Sequence, residues 1–165
     1  MTEKPSASPM TVAHAVTMNG RITTVLKPVS GRSIHEELIA RLALLDGKER
    51  FALLLWRLPE GVPFDLVALD PGPTEYIQCG GGLADRFTCE VRRLSADGSP
   101  RHEVVGRPVS DETSTVRTET IEWAENQTTV RQNEVLDFGE VCELFGSYLD
   151  SGEIPASCET RLLSP

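Results

Sequence analysis

The clearest hydrophobic period in the chain lies near its C-terminal end. Val141, Leu144, Phe145, Tyr148 and Leu149 recur at three- and four-residue spacing, which puts them on one stripe of an α-helix. Asp137 stands at the N-cap position and Glu140 three residues on, the spacing of a capping box. Leu136 and Val141 are placed to close a hydrophobic staple across that cap. Gly152 and then Pro155 end the helix. A second helical period, Ile34, Leu38, Ile39, Leu42 and Leu45, follows Ser33, with Glu36 as its box partner. Gly47 reads as the residue just past its end, so the spacing predicts a helix over 34–46.

Elsewhere the period is two. In "TVAHAVTMNGRITTVLKP" (11–28), Asn19-Gly20 lies between β-prone runs, a strong hairpin signal. A two-residue turn sets Met18 opposite Arg21 and Val16 opposite Thr23. It leaves Ala13, Ala15, Ile22, Thr24 and Leu26 on the face better suited to the core. Phe51–Leu58 is nearly all apolar, the pattern of a strand buried on both faces. Phe64–Leu69 alternates less clearly, and "PGP" at 71–73 separates it from a strand at Glu75–Cys79. Phe87–Arg93 alternates well, with Phe87, Cys89 and Val91 on one face; His102–Arg107 is shorter. Val116–Trp123 and Thr128–Val135 pair across Ala124–Gln127, and "SCETRLL" (157–163) reads as a short last strand or tail.

Consecutive strands with short turns favour antiparallel pairing. The expected fold is therefore α+β: a mainly antiparallel sheet with an N-terminal hairpin and two helices packed on one face. Residues 1–10, polar and rich in Pro and Ser, read as a disordered lead, and 11–163 as a single α+β domain.

Charge narrows the function classes. The formal net charge is -9, which argues against direct nucleic-acid contact, because phosphate binding needs a basic face. The acids are also unevenly spread. Residues 1–58 hold eight Lys/Arg against five Asp/Glu, and residues 59–165 hold eight against twenty. An acidic half of this kind steers basic partners. No apolar leader opens the chain, and no apolar run approaches the ~20 residues of a membrane span. The expected location is the cytoplasm, with no membrane partner.

Candidate chemistry centres first on "TEYIQCGGG" (74–82). A thiol nucleophile at Cys79 needs a base to form thiolate, and His14, His35 and His102 lie in no recognisable triad context. Gly80-Gly81-Gly82 lacks the following Lys-Ser/Thr and helix of a phosphate loop, and reads instead as a strand closing on a tight connection. Cys79, Cys89, Cys142 and Cys158 form no C-x-x-C pair, so they are expected free and buried rather than on zinc. "DETSTVRTETIEWAE" (111–125) carries acids at 111, 112, 119, 122 and 125 without the order of a calcium loop. No metal or cofactor is expected. A different reading fits the same stretch. Trp123 among Glu119, Glu122 and Glu125 has the make-up of a contact point for a basic protein, against the plainer reading of a core tryptophan with acids outside.

Residues 64–163 carry a family resemblance. "EYIQCGGG", "DRFTCEVRR", "TIEW" and "NEVLDFGEVCELFGSYLDSGEIPASCETRLL" resemble Imm1-type immunity proteins of actinobacterial polymorphic toxin systems. The chain departs from that pattern at its end, where "CETRLL" stands in place of a tryptophan strand. The resemblance implies a non-enzymatic protein that binds and neutralises a cognate toxin domain, such as a nuclease or deaminase, in the producing cell. The acidic surface, with Glu119, Glu122, Trp123 and Glu125 as first contacts, would meet a basic toxin. The alternative is a small enzyme or ligand-binding protein using Cys79 and its glycine turn.

Overall fold

The computed structural model describes residues 13–110 and 116–163. The expected lead at 1–10, Thr11, Val12, and the acids Asp111 and Glu112 lie outside the described residues. In chain order the elements are β1 (His14–Met18), β2 (Ile22–Leu26), α1 (Ile34–Leu42), β3 (Ala52–Arg57), β4 (Tyr76–Gly81) and β5 (Phe87–Leu94). Then come β6 (Pro100–Gly106), β7 (Thr118–Trp123), β8 (Asn126–Arg131), α2 (Phe138–Ser151) and β9 (Glu159–Leu162). Seven strands form one antiparallel sheet in the order β2-β1-β3-β4-β5-β6-β9, and β7–β8 is a separate hairpin. The fold is α+β, as the pattern predicts.

Alternation along the strands divides the sheet into two faces. Val16, Leu53, Leu55, Ile77, Cys79, Cys89, Val91 and Val105 point to the side that both helices cover. There they meet Leu38 and Leu42 of α1 and the full predicted stripe of α2, Val141, Leu144, Phe145, Tyr148 and Leu149. Each fully buried side chain of this kind contributes about 2 kcal/mol relative to exposure. Both capping boxes form, Ser33 with Glu36 and Asp137 with Glu140. The opposite face is covered differently. Ala15, Trp56 and Leu58 form a smaller cluster there with Leu54, Phe64, Val67 and Tyr76.

Four expectations need correction. The β7–β8 turn is Ala124-Glu125 alone, because Asn126 and Gln127 already pair with Trp123 and Glu122, and β8 ends at Arg131 where a 3₁₀ turn follows. The other three lie elsewhere. The Asn19-Gly20 turn is present, with both residues at positive φ and the Arg21 N–H donating to Met18 O. The ladder, however, starts with Met18 opposite Ile22, leaving Arg21 outside it. That one-residue slip reverses the faces of β2. Leu26 therefore joins Val16 and Met18 on the helix side, while Ala15 packs on the other side against Trp56. Asn19 fixes this register by accepting from the Phe51 and Ala52 N–H groups at 2.9 and 3.1 Å.

Helix α1 ends at Leu42, four residues short of the expected end. The Leu44 and Leu45 N–H groups make tighter three-residue bonds to Arg41 O and Leu42 O. Asp46 Oδ1 then gathers the N–H groups of Lys48, Glu49 and Arg50 within 3.0 Å, so Gly47 belongs to that turn and not to a helix cap. Phe64–Leu69 is not a strand. Phe64–Leu66 forms a 3₁₀ turn whose bonds are local, Leu66 N–H to Pro63 O and Val67 N–H to Phe64 O. Both edges of β3 are already taken by β1 and β4, so no ladder position beside it was open.

The glycine run is explained by close packing. A Cβ on Gly81 would lie 2.4 Å from Arg86 O, and one on Gly82 would lie 2.9 Å from Gly47 N. Both have φ near +116°, where other residues are strained. The run thus lets the β4–β5 connection press against the 46–50 turn.

Candidate functional site

The β7–β8 hairpin carries the four sequence-predicted contact residues and separates them. Glu119, Ile121 and Trp123 share one face of β7, and Ile121 is fully buried there, its Cγ2 directly above Gly81. Trp123 is half-buried on this inner face. Glu119 is half-buried too and is ion-paired with the Arg86 guanidinium. Glu122 lies on the outer face, exposed, and Glu125 sits exposed in the two-residue turn. The Ala124 N–H donates to Gly47 O at 2.7 Å and anchors that turn to the 46–50 loop. Two of the four are therefore presented to solvent as charges, and two help to seat the hairpin. Exposed Glu49, Lys48 and Arg50 stand in the loop to which it is anchored.

Many of the remaining acids are engaged by the fold. Glu134, 2% exposed, receives Arg161 Nε at 2.6 Å and Nη2 at 2.8 Å, with the Arg131 N–H at 2.8 Å. Glu103, equally buried, receives Arg93, Arg101 and the Thr160 hydroxyl at 2.7, 3.0 and 3.0 Å. Burial pushes both carboxyls up, but these hydrogen bonds and charges outweigh it and hold each below the usual glutamate value. Glu36, Asp137 and Glu140 serve the helix caps, and Asp46 a turn. Glu122 and Glu125 have no cation within ion-pair distance among the described residues.

Cys79 is 1% exposed and faces Cys89 across β4–β5 on the helix side. Burial pushes the Cys89 thiol far up, and the adjacent Cys79 adds to the effect. A thiol this deeply buried is not accessible to a substrate. After Gly82 the chain makes a single 3₁₀ turn and re-enters the sheet as β5, so no helix N-terminus faces the glycines. No group of three or more His, Cys, Asp or Glu placed to hold a metal occurs among the described residues. No described helix is long and apolar enough to cross a membrane.

Two concavities were not visible in the sequence. One, of about 740 Å³, opens where the C-terminal end of α2 meets the ends of β1, β3, β4 and β5, and is lined in part by His14, Arg57, Glu75, Arg93, Tyr148 and Glu153. Burial, then the charge of Arg57, lowers the His14 pKa, and burial raises the Tyr148 hydroxyl to about 12. At neutral pH the two are an uncharged imidazole and a protonated phenol, groups suited to hydrogen bonding. Arg93 in the same cleft is already held by Glu103 and Glu153. The second, of about 310 Å³, lies on the opposite sheet face between the β1–β2 turn and residues 69–73. The residues of each come from distant parts of the chain, so no local motif announces them. The buried acids had a faint signal: Glu103 falls in period two with Val105, on the core face of β6.

Comparison with protein-family models, with curated proteins and with solved structures gave no match.

Proposed function

We propose that the chain is a non-enzymatic protein-binding module, an immunity protein that binds and neutralises a cognate toxin domain through its acidic surface. The observation that carries this reading is the state of Glu122 and Glu125. In a chain where so many acids are engaged in caps and ion pairs, these two stand exposed at the outer face and tip of a hairpin, without a cation partner among the described residues. Trp123 lies next to them in the chain on the inner face of the hairpin, and its half-exposed ring leaves aromatic surface at the hairpin's end. Unpaired carboxylates at the tip of a hairpin suit a basic partner, raise the association rate and screen with salt. A toxin acting on nucleic acid, a nuclease or deaminase, presents such a basic surface, and an immunity protein meets it in the cytoplasm of the producing cell. The rival use of Cys79 as a nucleophile finds no support in a thiol that is 1% exposed.

The test is to mix the purified chain with the toxin domain encoded beside it. A stable complex at low salt that weakens as salt rises, and weakens further for Glu122→Lys with Glu125→Lys, supports the reading. Absence of any complex at low salt overturns it.

A further inference from the structure

We propose that the smaller pocket, between the β1–β2 turn and residues 69–73, is a binding site for a small oxyanion ligand, a phosphate or a carboxylate. This inference is independent of the toxin-binding surface.

The first argument is electrostatic. The chain has a net charge of -9, yet two arginines and no acid line this pocket. Arg41, Arg86, Arg93, Arg101, Arg107 and Arg161 each hold a carboxylate elsewhere. Of the six arginines that hold none among the described residues, Arg21 and Arg92 come together at this pocket. The register explains why each is left free. Arg21 is the residue the β1–β2 ladder excludes. Arg92 lies opposite Tyr76 and His102, with Glu90 two residues away on its own face. Glu90 Oε2 is instead occupied by Gln78 Nε2 at 2.6 Å and lies 2.8 Å from His102 Nε2. The cross-strand arrangement thus removes the acid that would neutralise Arg92.

The second argument is hydrogen bonding. Thr17 Oγ1 accepts from Trp56 Nε1 at 3.1 Å and lies 3.0 Å from Thr23 Oγ1. Thr17 is free to donate its hydrogen to Thr23, and Thr23 then keeps a hydrogen to give. Both threonines line the pocket. Guanidinium groups and an outward hydroxyl donor are the groups that recognise oxyanions. The third argument is the wall. Leu54, Trp56, Pro71, Pro73 and Tyr76 stand beside these donors and offer apolar surface against which the body of a ligand can pack. A volume of about 310 Å³ suits an anionic head with a small apolar body.

Trp56 lines the pocket and its fluorescence provides the readout. The full chain is titrated at low chloride with inorganic phosphate in one arm and benzoate in the other. Saturable binding in either arm is expected, weakened about tenfold by Arg92→Gln. Arg21→Gln should weaken it less, and Arg57→Gln, whose side chain lines the other cleft, should leave it unchanged. Tighter phosphate binding assigns a phosphate ester, and tighter benzoate binding a carboxylate. Thermal melting confirms that each variant is folded. Non-saturable responses in both arms, or binding that folded Arg92→Gln and Arg21→Gln leave untouched, overturn the proposal. The toxin-complex experiment with Glu122→Lys and Glu125→Lys reads a different surface, so the two failures are distinguishable.

Discussion

Glu134 and Glu122 lie twelve residues apart and illustrate two uses of the same side chain. Glu134 is 2% exposed and meets three donors, two from Arg161 and one from the Arg131 backbone, so it ties the segment after β8 to β9. Glu122 sits on the outer face of β7 with no cation partner among the described residues. The first carboxylate belongs to the fold, because removing one member of a buried pair strands the other. The second engages no cation of the fold, so changing it should cost the fold little. Net charge does not distinguish the two kinds of acid; their surroundings do.

The largest effect should come from Glu134→Ala, which leaves the Arg161 guanidinium and the Arg131 N–H without their acceptor. A loss of about 2–3 kcal/mol in unfolding free energy is expected by denaturant titration, since the Arg161 side chain is part-exposed and regains some water. A loss below about 1 kcal/mol would mean that the pair is solvated and would blur the contrast with Glu122.

Acid should reproduce part of that loss. The Glu103 and Glu134 carboxyls are held below the usual glutamate value of 4.5. Their stabilising contribution is therefore present above that value and is lost as pH falls through their lower folded values. Thermal midpoints should fall as pH is taken downward from 4.5, and less steeply in Glu134→Gln. An unchanged slope in that variant would remove Glu134 from the account.

Asp137→Ala should cost about 1 kcal/mol, because it deletes the side-chain acceptor for the Glu140 N–H at the start of α2. At the small end, Glu122→Lys and Glu125→Lys should change stability by no more than about 0.5 kcal/mol each. A loss of 2 kcal/mol would place them among the acids of the fold.

Local signals were legible in the sequence, and placements across the chain were not. The α2 stripe and both capping boxes were readable because each depends on residues three and four apart. Phe87, Cys89 and Val91 were readable as one core face for the same reason at period two. The β2 register was misread because Asn19 bonds to Phe51 and Ala52, more than thirty residues away, and that contact sets where the ladder begins. Helix α1 was overextended because Leu45 remains a core residue after the helix has already ended. The hairpin showed the same limit. Glu119, Glu122 and Glu125 look alike in the sequence, but the Arg86 partner that engages Glu119 lies in another connection and had no local mark. The pairing of Arg21 with Arg92 in one pocket arises from the sheet order alone.

The most direct test of the central claim is the salt dependence of toxin binding for the native chain and for Glu122→Lys combined with Glu125→Lys, measured by titration calorimetry across an ionic-strength series. The account predicts that the native complex weakens with rising salt, and that the double variant binds more weakly at low salt with a shallower slope. Identical affinity and slope for the two proteins would contradict it.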